Sequence, residues 1–587
     1  MTTSGKARSL VLRWLPNSRW ALVLCGMLVV LPTIFAGLFM DDALARVKLL
    51  GLDTPWSPAA WWDLYTFARP DINAKLLAAG HHPWWADPAV KMTFFRPLSA
   101  ATHILDYALW PHSPMLQHLH SIAWYGLAVG MAVSVFQAIH KNSRQTVLLA
   151  GFVFAVAPPH ALAVGWLASR NTIIAFVVAC LLFLTHLRWR KGGGWPWLLA
   201  SLGLLIVGFF TSEAILAGLA YIAAWELCLN TGSWKNRIAS LIPYGIFVVL
   251  WRLWYVAAGF GAAGTSIYRD PSTDFLGFVQ VLLTNFPILI FGRWVPIPLD
   301  FWAILPTSGR IVVLLCTGLF FAALVALLWP MLRDNKKSQF WTLGMLLSVV
   351  PFTLTVPMDR LTLFAGLGLG GLIGLFASTP LQSTFRSKVR TGLLWFYVPT
   401  AAILCLVRAG TLGTLIAINT VGYHQAPQDK AVPSQTFVYV QSTFHRVHYT
   451  TLMRKAAGHS AVPKRSVVLS SMLIASTLTR TDAHTLEVRP KGGFMLLELD
   501  RIHRRVTKPF SQGDVVRLPD VTITVTKVTS DGRPAIASFR FHVPLEHKSL
   551  RWLIVKKDKN SNLPFPTQTV AFPLPKIGQT VQIEPVL

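Results

Sequence analysis

Apolar residues dominate the chain from residue 20 to residue 417 in long runs broken by short charged, Gly or Pro punctuation. Windows such as 20–40, 309–330 and 391–417 reach the roughly 20 residues a helix needs to cross hydrocarbon, where each backbone amide must be satisfied within its own segment. The pattern predicts helices near 20–40, 115–139, 145–167, 171–187, 196–211, 214–229, 238–258, 309–332, 339–357, 361–378 and 391–417, about eleven spans in all. The segment 277–306 is apolar too, but its Trp and Pro content predicts a re-entrant or interface-lying stretch. Past about residue 423 the period changes to two. Runs at 485–488, 494–499, 521–528, 535–541 and 550–555 alternate and are separated by turn signals, Ser530-Asp531-Gly532 the clearest. The fold expected is an α-helical polytopic membrane domain over 1–422, with a long first outer loop at 41–114, followed by a β-rich domain over 423–587, all-β and of sandwich or barrel type.

Charge supplies the orientation. The net charge of +28 could suggest a nucleic-acid partner, but Lys and Arg fall in clusters between apolar runs, which argues against one. The N-terminus (Lys6, Arg8, Arg13, Arg19), His140–Arg144, Arg188–Lys191, Lys235–Arg237, Arg333–Lys337 and Arg386–Arg390 all land on one side, predicted to be cytoplasmic. An odd number of spans then leaves the tail outside. The basic N-terminus and Ala43-Leu44-Ala45 resemble a signal peptide, but the apolar core is too long and Asp41-Asp42 precede the triplet, so an uncleaved first helix is predicted. The five cysteines all lie in apolar runs without a CxxC pair and read as core residues. The loop 41–114 is rich in Trp, including Trp56, Trp61, Trp62, Trp84, Trp85 and Trp110, which predicts short helices on the membrane surface.

Several polar groups fall at the predicted outer face. Asp41-Asp42 follow the first helix, where a carboxylate can take a proton from an acceptor hydroxyl or hold a cation beside a lipid phosphate; two acids marking a helix end is the plain alternative. Arg96, between aromatics, could grip a phosphate with its planar fork, or pair with Asp106 to pin the loop. His81-His82, His118 and His120 read as polar packing, since His-x-His on a helix does not face one way. Pro158-Pro159 breaks a helix and brings His160, Trp166 and Arg170 to one turn. Glu213 and Asp359-Arg360 mark two further outer turns, explained either by a site or by pairing, for example of Glu213 with Arg170 or Arg360.

The series Asp41-Asp42, Phe95-Arg96-Pro97-Leu98, Leu105-Asp106-Tyr107, Pro158-x-His160 with Trp166 and Arg170, Ser212-Glu213, and Asp359-Arg360 before a Gly-rich helix resembles the GT-C membrane glycosyltransferases. The branch it resembles holds bacterial relatives of the O-mannosyltransferases bearing tetratricopeptide repeats, and the likeness covers roughly residues 20–380. It implies a GT-C-like membrane enzyme that transfers a hexose from a polyprenyl-phosphate sugar to a periplasmic or cell-surface acceptor, protein, glycan or lipid. It implies Asp41 or Asp42 as base or ligand of a divalent cation (Mg or Mn), and donor-phosphate or substrate contacts among Arg96, Asp106, His160, Arg170, Glu213, Asp359 and Arg360. The location implied is a bacterial inner membrane, N-terminus cytoplasmic and C-terminal domain periplasmic. Relatives commonly carry acids where this chain has Leu162 and Thr172, and the repeat domain is replaced by the β-rich tail. A lipid or sugar transporter or flippase, and a catalytically inactive membrane scaffold, are the competing readings; charges at helix ends rather than at the midplane of inverted repeats weigh against transport.

Overall fold

The computed structural model describes residues 16–57, 60–295, 297–380, 383–505, 507–560 and 567–586; Lys6, Arg8 and Arg13 lie outside them. The chain forms two compact units, one of residues 1–37, 95–260 and 274–413, the other of 38–94, 261–273 and 414–587.

The first unit is helical, and among the described residues seven helices are long and apolar enough to cross a membrane. Where the apolar windows predicted spans, helices stand at Pro114–Ile139, Arg170–Arg188, Trp195–Thr211, Ile215–Cys228, Trp234–Ala257, Thr307–Asp334 and Leu363–Ser378. Leu253, Leu315 and Leu319 are more than half exposed on these helices, as lipid-facing side chains are. Together these helices make the chain a multi-pass membrane protein. The first span is shorter than expected: an α-helix over Arg19–Val30 and a 3-10 turn over Leu31–Phe35 stop before Asp41. The helix expected at 145–167 runs only over Arg144–Ala155, because Pro158-Pro159 forbid its continuation and a separate turn, His160–Gly165, begins.

Leu363–Ser378 is the packing axis. A Cβ at Gly371 would lie 2.3 Å from the Trp341 ring, one at Gly370 2.8 Å from the Ala150 carbonyl and one at Gly374 2.8 Å from the Thr146 carbonyl. The glycines therefore let this helix wedge between its neighbours, the small-residue route to tight helix pairs in lipid. Its rigidity fixes the Asp359-Arg360 turn at its N-terminal end.

Phe275–Trp294 is a continuous 20-residue helix interrupted in composition only by Pro287. The Asn285 amide donates to the carbonyls of Thr353 (3.0 Å) and Thr355 (3.1 Å), and the Leu299 amide donates to Asp359 Oδ1 (3.1 Å). Both ends of the stretch 285–299 are thus tied to one inter-helix turn. Between them Trp294 reaches away to accept the Tyr397 hydroxyl through its carbonyl (2.6 Å). The re-entrant or interface-lying expectation for 277–306 is corrected over its helical part: Phe275–Trp294 is among the helices long and apolar enough to cross a membrane.

The second unit is discontinuous in sequence. Its largest sheet is antiparallel, with spatial order Thr580–Ile583, Ser476–Arg480, Thr485–Pro490, Pro534–Phe541, Val521–Val528, Val515–Arg517. A second sheet runs Thr567–Ala571, Leu550–Lys557, Thr436–Gln441, Arg465–Ser470, and in it Thr436–Gln441 is parallel to both neighbours. The helix Phe444–Ala456 makes the crossover between the parallel pair, as parallel strands require. The all-β expectation for 423–587 is therefore corrected: the region is β-rich but holds a βαβ unit. Nor is it a unit by itself. A small sheet of Thr66–Ala68, Lys91–Thr93 and Gly261–Ala263 belongs with it, and Gly80, at φ +80°, comes so close to the Ser466 carbonyl that a Cβ would sit 2.2 Å from it.

The membrane-surface expectation for the loop tryptophans is corrected as well. Trp84 and Trp85 are 2% and 3% exposed. The Trp84 ring meets Phe494 and Phe539 with centroids 5.2 and 5.7 Å away, and the Trp85 indole donates to the Asp500 carbonyl at 2.7 Å. They are core residues of the β-rich unit; Trp61 and Trp62, in contrast, are exposed.

Candidate functional site

In the second unit, Asp41 and Asp42 open a helix, Asp41–Leu49, rather than closing one. Met40, the residue before it, has φ +44°, a left-handed conformation costly for a side chain bearing Cβ and found mainly where the surroundings impose it. Asp42 is 3% exposed, and its Oδ2 accepts the Phe39 amide at 3.0 Å, closing the turn. Asp41 is half-buried, and its Oδ1 accepts the Tyr449 hydroxyl at 2.8 Å. Burial, with Asp41 alongside, pushes the Tyr449 phenol well above its ordinary value, so it remains a donor. Lys48, one turn from the acids' helix end, is buried and donates to the carbonyls of Asp63, Leu64 and Thr66; burial lowers its ammonium to about 7.

The carboxylates sit at the amide end of a helix, where partial positive charge favours anions and opposes a bound cation. Among the described residues no three His, Cys, Asp or Glu side chains are placed to hold a metal. The Mg or Mn expectation thus finds a two-acid set at a helix N-terminus, which does not fit a cation cage.

Tyr449 was not foreseen from sequence. It stands on Phe444–Ala456 among histidines: His448 Nδ1 lies 3.3 Å from His81 Nδ1, and the His82 and His503 rings are 4.6 Å apart. His81 and His82, expected to be polar packing, are core residues. Burial lowers them to about 4 and about 3, with Lys455 acting on the first and His81 on the second.

In the first unit the expected residues pair differently from the expected scheme. Arg96 donates through Nε to Glu213 Oε2 at 2.8 Å, and Tyr255 donates to the other Glu213 oxygen. Asp106, the partner expected for Arg96, instead binds Arg170 at 2.6 Å and the His120 Nδ1–H at 2.6 Å. Arg170 has no exposed surface, and its remaining nitrogens donate to Ser121 Oγ (2.9 Å) and the Gln117 carbonyl (2.8 Å). Its donors are all engaged inside the helix bundle, so the expectation that it holds a donor phosphate is corrected: Arg170 is an anchor between three helices. His160 is likewise fully buried, with Nδ1 2.9 Å from the Tyr125 hydroxyl and Nε2 accepting from Arg293 at 3.2 Å.

Asp359 accepts from Arg408, which lies in the apolar run 401–417, and Arg360 stacks over Trp166 with its guanidinium carbon 4.7 Å from the ring centroid. Asp300 adds a second acid here. Burial and the charge of Asp359 push its carboxyl up to about 7, and its buried Oδ1 has no hydrogen-bond partner among the described residues. Neither Asp300 nor Arg408 was foreseen, although a lone arginine in a run of apolar residues is itself a signal. The first unit therefore holds these residues as separate pairs: Arg96 with Glu213, Asp106 with Arg170, Arg360 with Trp166 and Asp359 with Arg408.

No family model matches the chain. Over 280 residues, 44% of this chain and 28% of the relative, it is 26% identical to Protein O-mannosyl-transferase Tmtc2 of Drosophila melanogaster. Over 298 residues, 45% of this chain and 34% of the relative, it is 24% identical to Protein O-mannosyl-transferase Tmtc1 of the same fly. The chain spans about a third of the length of these curated relatives, to which it is a distant homologue.

Proposed function

We propose that the protein transfers a sugar from a polyprenyl-phosphate carrier to a protein acceptor outside the cytoplasm, within a GT-C-like membrane domain. One observation carries the reading: Asp41 and Asp42 follow the first apolar helix at a strained turn, with Asp41 bonded to Tyr449, in a chain distantly similar to protein O-mannosyl-transferases. In the reaction the acceptor hydroxyl oxygen forms a bond to the sugar anomeric carbon while the bond from that carbon to the phosphate oxygen breaks. The lipid phosphate leaves with the electron pair, and the hydroxyl proton passes to Asp41, with inversion at the anomeric carbon. Asp42 fixes the turn that aims Asp41. Within the helical unit, Arg96 and Arg360 are the residues proposed to hold an anionic lipid phosphate, their planar forks matching its oxygens. Glu213 positions Arg96 and Asp359 the turn bearing Arg360.

The same reading holds eleven crossings. It keeps the N-terminus cytoplasmic and the 423–587 region outside, in the periplasm of a bacterial cell.

Asp41→Asn and Asp42→Asn, each assayed for transfer from labelled polyprenyl-phosphate sugar to peptide in proteoliposomes, test it. Loss of about 100-fold or more is expected for the first, on the scale of general-base catalysis. Full activity of both variants would remove the proposal. A second reading, a lipid or sugar flippase, is favoured by Arg293, buried within the apolar helix Phe275–Trp294, since ionisable groups inside membrane spans mark transport paths; donor-lipid translocation without product formation would select it.

A further inference from the structure

The end of the first unit that the basic clusters mark as cytoplasmic carries a cavity of about 320 Å³ between the helices Arg19–Val30, Pro114–Ile139 and Arg144–Ala155. Arg19, Lys141 and Arg144 line it, and no Asp or Glu is among its described lining residues. Two helices of 12 residues begin at it, capped by Ser18, which accepts the Ala21 amide at 3.1 Å, and by Ser143, which accepts that of Thr146 at 3.4 Å. Their amide ends add positive potential to that of the side chains.

Arg19 sets the depth of the site. Its guanidinium turns inward along the neighbouring helix, so that a Cβ on Gly130 would lie 3.6 Å from Nη2. Its Nε is buried and has no hydrogen-bond partner among the described residues. Arg144 donates to the Asn17 carbonyl across the mouth, and Lys141 and Arg144 are exposed there. Gln137 and His140 add polar side chains to the wall, and Val147 and Leu148 an apolar strip. The half-buried guanidinium of Arg19, two cations at the rim, two helix amino ends and no described carboxylate are complementary to a tetrahedral oxyanion, and the apolar strip suits an attached chain.

We propose that this cavity binds a phosphate anion at the cytoplasmic membrane surface, the chemistry shared by an anionic phospholipid headgroup and free phosphate. It is separate from the residues assigned to sugar transfer and does not depend on that reading.

The test uses the full chain in detergent micelles, with native mass spectrometry and thermal shift on adding phosphatidylglycerol, phosphatidylcholine or inorganic phosphate. Phosphatidylglycerol is expected to bind in preference to phosphatidylcholine. Lys141→Gln and Arg144→Gln, both at exposed positions, are expected to weaken it about fivefold each, the effect of one basic residue near an anionic surface. Lys388→Gln, exposed in another basic cluster, is expected to leave binding unchanged. Inorganic phosphate binding with the same pattern of sensitivity and no lipid preference would support the site with a soluble ligand. Equal weakening by Lys388→Gln, no loss in Lys141→Gln and Arg144→Gln, or no binding of either anion would overturn it.

Discussion

Replacing Arg170 by Met separates an anchor from a phosphate contact. The side chains of Arg170 and Asp106 are 0% and 1% exposed, and their oxygen and nitrogen stand 2.6 Å apart. Removing the guanidinium leaves a buried carboxylate whose remaining charge partner is His120, and strands the Ser121 hydroxyl and Gln117 carbonyl that Arg170 had served. Breaking a buried pair in this way costs about 3–5 kcal/mol. Asp106→Asn, which keeps an acceptor but removes the charge, is expected to cost somewhat less. In the double variant Arg170→Met with Asp106→Asn neither unpaired charge survives, so the combined loss is expected to fall short of the sum by about 1–3 kcal/mol. Equilibrium unfolding of the purified chain in mixed micelles, followed by tryptophan fluorescence, measures all three. Strictly additive losses, or an Arg170→Met protein of undiminished stability with abolished sugar transfer, would refute the anchor assignment and return Arg170 to the phosphate.

Tyr449→Phe removes the hydroxyl that holds Asp41 and is expected to lower transfer by about tenfold, while altering the pH–rate profile through Asp41; an unchanged rate and profile would separate Tyr449 from the reaction. Trp84→Ala is expected to destabilise the β-rich unit by about 3–5 kcal/mol, because a 2% exposed indole among Phe494, Phe510 and Phe539 leaves a large void; limited proteolysis between 423 and 587 reads it. Acid should loosen the same unit. The folded-state values of His81 and His82 lie below the ordinary 6.5, at about 4 and about 3, so between pH 6.5 and those values the unfolded chain binds protons that the folded chain refuses. Stability is full above pH 6.5 and falls by about 1.4 kcal/mol per pH unit for each of them as pH drops, so the urea midpoint of the unit, read by tryptophan fluorescence, should fall between pH 6.5 and 4; a midpoint independent of pH over that range would contradict the buried cluster.

Helices were legible in most apolar windows, but Phe275–Trp294 was read as re-entrant or interface-lying because of its Trp and Pro content, and the helix expected over 145–167 ends at Ala155 before Pro158-Pro159. Strands that alternate, such as Val521–Val528, were legible too. Thr436–Gln441 was not, because all six of its residues are buried and a parallel strand covered on both faces shows no period of two. Trp84 and Trp85 were misplaced for a related reason: aromatic richness in an outer loop looks the same whether the partner is lipid or a distant sheet. Candidate charges were legible as types at turns, but their partners were not. Asp106 was read as a partner for Arg96 until helix packing gave it to Arg170, and Asp359 met Arg408 from a run read as uninterrupted hydrocarbon. Tyr449 had no local signal at all, since only the tertiary fold carries it across 408 residues to Asp41.

That separation has a temporal side. The indole of Trp85 donates to a carbonyl 415 residues downstream, and ribosomes lengthen a chain by about 5–20 residues per second. The nascent polypeptide therefore waits about 20–80 s between making this tryptophan and making its acceptor. Through that interval the early aromatic segment stands without its core while helix after helix is made, so its maturation is post-translational in substance, and a chain terminated before the last strands would leave the two leading aspartates without the scaffold that presents them.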